Sequence, residues 1–594
     1  MRRPTASLES DGAGRAFDRR LLWRLWSWVR PHRALVAASF VLLVGVSAAQ
    51  IAQPWLLKRA IDEGIARGDT GALLVPAGLF LLALVAEFVL RYLQLYALEA
   101  TGQNVILDLR VAVFSHLQHL SASFFDRNPV GRLMTRVTSD IEALNEAFTS
   151  GLVLILADLV KLVGIVVVLL AMDWRLALVT LAVLPLMLGV TAWFRRRMRA
   201  AYRRVRARVA ALAAFLQEAV VGMRLIQVFG RERRSREEFD EVNRGHRDAE
   251  LGSVLYDSLF SAVAELMGTL TLAAILWAGG FRLLAGGITF GTLVAFIEYA
   301  GKFFRPVQEL SQRFAVMQGA MASAERVFEL LDTPPEIVSP PSPRELPPPR
   351  GEVVFDDVSF AYRPGEPVLE NISFRVEPGE KLGIVGWTGS GKSTLIRLLA
   401  RLYDVDSGRI LLDGLDVRDW PLEELRRRLG VVLQDQFLFA GTIADNISLG
   451  DPRITREDIR RAARLVQADA FIERLPRGYD EPVRERGSNL SVGEKQLICF
   501  ARALAFDPAV IVLDEATASV DPETEERITR AIEIALAGRT ALVIAHRLHT
   551  VLDADRILVL HHGRLAEQGT HDELIARDGG IYRTLWELQA RKTA

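Results

Sequence analysis

The chain has 594 residues, 50% of them hydrophobic, and carries 72 Lys/Arg against 72 Asp/Glu, so its formal net charge is zero. That balance argues against a general nucleic-acid binder, and the apolar fraction argues against disorder. The length calls for at least two large units.

In chain order, the first feature is RRLLWRLWSWVRPHR (residues 19–33), which mixes Arg with Trp23, Trp26 and Trp28. It reads as an amphipathic helix lying along the inner membrane face before Pro31, closing an N-terminal segment 1–33; the plainer reading is the ordinary start of the first span. Apolar stretches follow at roughly 34–57, 73–95, 151–172, 176–194, 254–280 and 286–304. Each is near the ~20 residues that cross a ~30 Å hydrocarbon core. The first is no signal peptide, because no small-residue cleavage site follows it.

Six spans return the chain to its starting side. The connection 195–250 holds fifteen Arg and eight more precede the first span, whereas the segments after spans one, three and five are short and poor in basic residues. Positive-inside reasoning therefore makes both termini cytoplasmic. The connections at about 96–150 and 195–253 carry apolar residues at three- and four-residue spacing among their charges and read as helical. Twenty-five residues of such helix would project ~35–40 Å from the membrane. Inside the spans, Glu87/Arg91 and Asp158/Lys161 sit at helical spacing that lets each pair neutralise itself.

Residues 333–350, TPPEIVSPPSPRELPPPR, contain eight of the chain's 24 prolines and cannot continue a helix. The charge balance changes sign here. Residues 1–332 hold 38 basic and 30 acidic side chains, a balance of +8, and residues 333–594 hold 34 and 42, a balance of −8. The run is thus a linker between a helical membrane domain, 34–332, and a second domain, 351–594.

In that second domain the apolar strand KLGIVG runs into GWTGSGKST (386–394) and then a helix. The spacing is that of a phosphate-binding loop in its strand–loop–helix context, which makes the fold α/β. Gly386, Gly389 and Gly391 let backbone N–H groups curl around phosphate oxygens. Trp387, Thr388, Ser390 and Thr394 complete the loop, Lys392 reaches the β/γ-phosphates and Ser393 ligates Mg²⁺. Downstream, AVIVLDE (509–515) reads as a buried strand ending in two carboxylates. Asp514 is placed to hold Mg²⁺ through water and Glu515 to act as general base. The strand ALVIAH ends in His546, a candidate sensor of the γ-phosphate. The single cysteine, Cys499, reads as a core residue.

LSVGEKQ (490–496), opening a helix 23 residues before Asp514, resembles the signature sequence of the ABC (ATP-binding cassette) ATPases. The family pattern is usually LSGGQ, so Val492 and Glu494 depart from it while Ser491 and Gly493 remain. The resemblance implies that the retained Ser491 and Gly493 face the γ-phosphate of an ATP held by an opposing cassette, with Val492 and Glu494 the other members of this trans signature. It also implies that Tyr362, in VSFAY, stacks on adenine, that Gln434 contacts Mg²⁺ and that Asp521 is the D-loop aspartate. ERGSN (485–489) resembles the short loop that ABC exporters place beside their coupling helices. FFDRNPVGRLMTRVTSDIEALNEAF (124–148) and EAVVGMRLIQVFGRERRSREEF (218–239) resemble the intracellular loops of exporter half-transporters.

The resemblance implies six transmembrane helices with long cytoplasmic extensions joined to one P-loop ATPase of ABC type. It further implies ATP and Mg²⁺, and a second half-transporter, identical or related, with two ATPs buried between cassettes. The expected function is ATP-driven export or flipping of hydrophobic or amphipathic drugs and lipids across a bacterial cytoplasmic membrane. A dedicated lipid A or phospholipid flippase, a soluble ABC ATPase and an ATP-gated channel are the alternatives. Glu265 and Glu298 have no evident partner within their own spans, although Lys302 follows Glu298 by four residues. Such a carboxylate must face water or a partner, so these two are expected to line the translocation cavity and suit amphipathic or cationic cargo.

Overall fold

A computed structural model describes residues 19–146, 153–341, 345–514, 522–545 and 548–593. The chain forms two units: Met1–Gln118 with Val130–Thr333, and His119–Pro129 with Pro334–Ala594.

The first unit is helical. Its longer helices are α1 (Arg19–Val29), α2 (Arg33–Arg59) and α3 (Thr70–His119), then, beyond the short α4 (Ala122–Arg127) of the other unit, α5 (Val153–Met172), α6 (Trp174–Leu181), α7 (Val183–Val221), α8 (Glu232–Leu284) and α9 (Phe290–Asp332). Among the described residues, five helical stretches are long and apolar enough to cross a membrane: Arg19–Ile65, Thr70–His119, Val153–Met172, Trp174–Val221 and Glu232–Leu284. The expected span at 286–304 opens α9, where the side chains of 304–315 lie outside the described set. The residues read as an interfacial helix form α1, separated from α2 by a 3₁₀ turn at Arg30–His32 that accommodates Pro31. Arg24 of α1 pairs with Asp332 at 2.6 Å and lies over the Phe328 ring, fastening α1 to the end of α9.

Both long connections contain helical arms. α7 and α8 pack along each other, and at 53 residues α8 is ~80 Å long. Between them the tip at 220–229 leaves Val220, Val221, Leu225, Val228 and Phe229 exposed.

Within the spans, α2 packs against α5 and α9. Gly164 of α5 packs close to Ile51 of α2, where a Cβ would meet Ile51 Cδ1 at 2.5 Å and turn that side chain aside, the small-residue approach common to helix packing in lipid. Pro54 interrupts α2 and, lacking an N–H, frees the Gln50 carbonyl. Lys302 of α9 donates to that carbonyl at 2.9 Å and to Gln53 Oε1 at 2.8 Å. Glu87 of α3 accepts from Gln50 Nε2 at 2.7 Å and also from Gln53 Nε2. The same-helix pairing expected of Glu87 with Arg91 is therefore replaced by a polar clasp across α2, α3 and α9. A low-dielectric surrounding favours this, since neighbouring helices satisfy groups that water cannot reach. Glu298 and Glu265 are exposed on α9 and α8 respectively.

The second unit is built on two large sheets and also holds a two-stranded one, Gly441–Thr442 with Pro482–Val483. A four-stranded antiparallel sheet has the order β2 (Glu366–Val376), β1 (Val353–Arg363), β4 (Ser407–Leu412), β5 (Leu415–Asp416). A six-stranded sheet has the order β10 (Arg564–Gly569), β9 (Arg556–His561), β3 (Lys381–Gly386), β8 (Thr540–Ile544), β7 (Val510–Asp514), β6 (Leu429–Val432). All its neighbours are parallel except β9–β10. Its central strands are buried on both faces, with Val510 and Val512 in one apolar core and Ile511 and Leu513 in the other. That is why they read as unbroken apolar runs rather than alternating ones. The register aligns Ile384 of β3 with Ile544 of β8 and Ile544 with Asp514 of β7. The ends of these strands therefore converge along one edge, where an open parallel sheet places its ligands.

Candidate functional site

The loop 386–391 leaves β3 at that edge and enters α10 (Lys392–Leu399). Glycine is required at both ends of the loop. Gly386 has φ +152°, and a Cβ there would lie 2.2 Å from the Leu560 carbonyl oxygen; Gly391 caps α10 at φ +100°, with Leu369 Cδ2 at 2.6 Å from any Cβ. Lys392 is 4% exposed, and its ammonium donates back to the carbonyls of Gly386 at 2.8 Å and Trp387 at 3.0 Å. The Ser390 hydroxyl is buried without a hydrogen-bond partner, a donor held inside the loop. Trp387 is exposed.

Ser393 Oγ lies 3.4 Å from Asp514 Oδ1, so a hydroxyl from α10 and a carboxylate from the end of β7 converge. These oxygens fit Mg²⁺, which is ordinarily held by one or two protein oxygens together with phosphate and water. Gln434 is exposed two residues beyond Val432, which pairs with Leu513 beside Asp514. The register thus brings Gln434 to the same edge.

Tyr362, at the end of β1, lies beside the loop helix. Its hydroxyl is 3.2 Å from both Thr394 Oγ1 and Arg397 Nη1. The structure also brings in Tyr403, which the sequence marks with no motif. Its ring stands edge-on to that of Tyr362 with centroids 5.1 Å apart, and its hydroxyl donates to Asp126 of α4. Burial and the bond to Asp126 push the Tyr403 phenol above its usual range, keeping it a proton donor.

The signature residues begin α11 (Val492–Ala505). Ser491 is its N-cap, accepting from the Glu494 N–H at 3.3 Å, while the Glu494 carboxylate accepts from the Ser491 N–H at 2.8 Å. The departure at Glu494 thus closes a capping box. Val492 is exposed, Gly493 is buried, and Cys499 packs in the core with its thiol pushed up by burial. ERGSN forms a tight turn in which Arg486 takes φ +53°. Glu515, Asp521 and His546 lie outside the described residues.

Comparison with known proteins agrees with both units. The family model described as ABC transporter transmembrane region matches residues 36–307, and that described as ABC transporter matches 369–518. A Bacillus subtilis protein named as a probable multidrug resistance ABC transporter ATP-binding/permease protein is 40% identical over 515 residues, covering 85% of this chain and 75% of its own length. An ATP-dependent lipid A-core flippase of Syntrophus aciditrophicus is 36% identical over 570 residues, covering 96% of this chain and 94% of its own. The solved structure of a bacterial Atm1-family ABC exporter with ATP bound matches with TM-score 0.77 at 30% identity, covering 94% of this chain and 98% of that one. With a transmembrane region and one ATP-binding cassette in a single chain, this protein belongs to the ABC transporter family and is an exporter of the half-transporter type.

Proposed function

We propose that two such chains, or this chain and a related one, use ATP to export or flip hydrophobic and amphipathic compounds, lipids among them, across a bacterial cytoplasmic membrane. The carrying observation is the convergence of the phosphate loop, Ser393 and Asp514 at one sheet edge, in a chain that also supplies membrane-spanning helices. The names of the relatives, one for multidrug resistance and one for lipid A-core flipping, support the cargo class.

In this reading the backbone of 386–391 and the Lys392 ammonium hold the phosphates, and Tyr362 stacks on the base. Ser393, Gln434 and, through water, Asp514 would hold Mg²⁺, which would supply charge neutralisation on the phosphates. Glu515 polarises the attacking water and His546 contacts the γ-phosphate. Ser491 and Gly493 complete the site of an opposing cassette, with Asp521 at the D-loop. Contacts across the paired cassettes, made only when ATP is bound, favour the closed state and turn the membrane cavity outward. The exposed apolar tip at 220–229 supports pairing, since a patch of that kind wants cover. Glu265 and Glu298, exposed on the span helices, remain the proposed cavity carboxylates.

Purified protein in lipid should hydrolyse ATP and respond to some members of a panel of labelled lipids and dyes. Glu515→Gln should nearly abolish turnover while ATP still binds. Near-normal steady-state hydrolysis by that variant would remove Glu515 from the role of base.

A further inference from the structure

The six-residue helix α4 follows α3 after two residues, so any displacement of the cytoplasmic end of α3 is handed to it through the chain. Yet α4 belongs by its contacts to the ATPase unit. Ser121 and Ser123 donate to Glu336, and Asp126 accepts from Tyr403. Tyr403 in turn sits within an aromatic group. Its centroid is 5.6 Å from that of Phe360 and 5.1 Å from that of Tyr362, and Phe360 is 4.9 Å from Tyr362, each pair meeting edge to face. Such pairs have preferred geometries, so one ring cannot turn without its neighbours. The far end of Tyr362 is tied to Thr394 and Arg397 of the loop helix.

We propose that Tyr403 is a positioning residue that couples α4, through Asp126, to the orientation of Tyr362 and hence to the adenine of bound ATP. This rests on the reading of Tyr362 as the base-stacking aromatic. The consequence is reciprocal: a base that fixes Tyr362 also orders α4, and a displaced α4 weakens the base site. The relay touches the base and not the phosphates. Inorganic tripolyphosphate, which has no base, is therefore blind to it.

The test uses the full chain in lipid nanodiscs. Equilibrium binding of Mg–ATP and of Mg–tripolyphosphate is measured for Tyr403→Phe, Asp126→Ala, the double variant and Tyr362→Ala, with hydrogen exchange of residues 119–129 followed with and without ATP. Losing the one hydrogen bond should raise the Kd for ATP about two- to tenfold in Tyr403→Phe and in Asp126→Ala, with the double variant no weaker than either. Tripolyphosphate binding should not change, and the ATP-dependent protection of 119–129 should disappear. Unchanged ATP affinity in Tyr403→Phe, an equal loss for tripolyphosphate, additive effects, or protection that persists would each overturn the relay. If Tyr362→Ala weakens ATP binding but Tyr403→Phe does not, only the relay fails. If Tyr362→Ala binds ATP normally, the base-stacking reading fails with it.

Discussion

The clasp formed by Gln50, Gln53, Glu87 and Lys302 yields a quantitative prediction. Gln53 is its hinge, donating from Nε2 to Glu87 and accepting from Lys302 at Oε1. Glu87→Gln leaves a single acceptor oxygen, so one charge-assisted bond becomes neutral and the other is lost where the new amide NH2 faces a donor. In water each change would be worth about 1 kcal/mol, but interhelical bonds in bilayers average about 0.6 kcal/mol, so about 1–2 kcal/mol is expected for the pair. Lys302→Met removes two donated bonds and strands the Gln50 carbonyl that Pro54 already left without a helical partner, at similar cost. Because both substitutions act through Gln53, the double variant should lose less than the sum, with a coupling of about 1 kcal/mol. The assay is unfolding by SDS in mixed micelles, followed by tryptophan fluorescence, for the two single variants and the double variant. Losses that add to within about 0.5 kcal/mol would show that the clasp is not one cooperative unit.

Three further outcomes follow from the ATPase unit. Glu494→Ala should lower the stability of the cassette by about 1 kcal/mol by opening the capping box, whereas Glu494→Gln should keep both the cap and ATP hydrolysis; thermal unfolding with ATPase rates compares them. Gly391→Ala puts a side chain at φ +100° and 2.6 Å from Leu369 Cδ2, a strain of about 1–3 kcal/mol, so Mg–ATP affinity should fall at least severalfold in a binding titration. Cys499 is buried with its thiol pushed up by burial, so a maleimide dye should label the native protein slowly and the unfolded protein fast. Fast labelling of the native protein would place Cys499 outside the core.

Much of the chemistry was legible in the chain because it is local. The spacing of Gly386, Gly391, Lys392 and Ser393 specifies a loop whose backbone conformation only glycine allows at two points. The apolar run before Asp514 is a strand buried on both faces. The spans were readable because lipid demands long apolar helices, and the linker because prolines forbid them.

Polar partners within the membrane were not legible in the same way. Glu87 and Arg91 match the local helical rule, yet Glu87 faces Gln50 and Gln53, because three helices meet there and leave polar groups to be satisfied from outside each helix. The place of Tyr403 was likewise hidden. It lies 41 residues beyond Tyr362 and 277 beyond Asp126, and no periodicity relates positions so far apart. Sequence alone determined which groups could hold a nucleotide and which segments could cross a bilayer, since both follow from short-range spacing and composition. Tertiary structure decided which distant side chains share a proton or a ring contact, because only packing sets those distances.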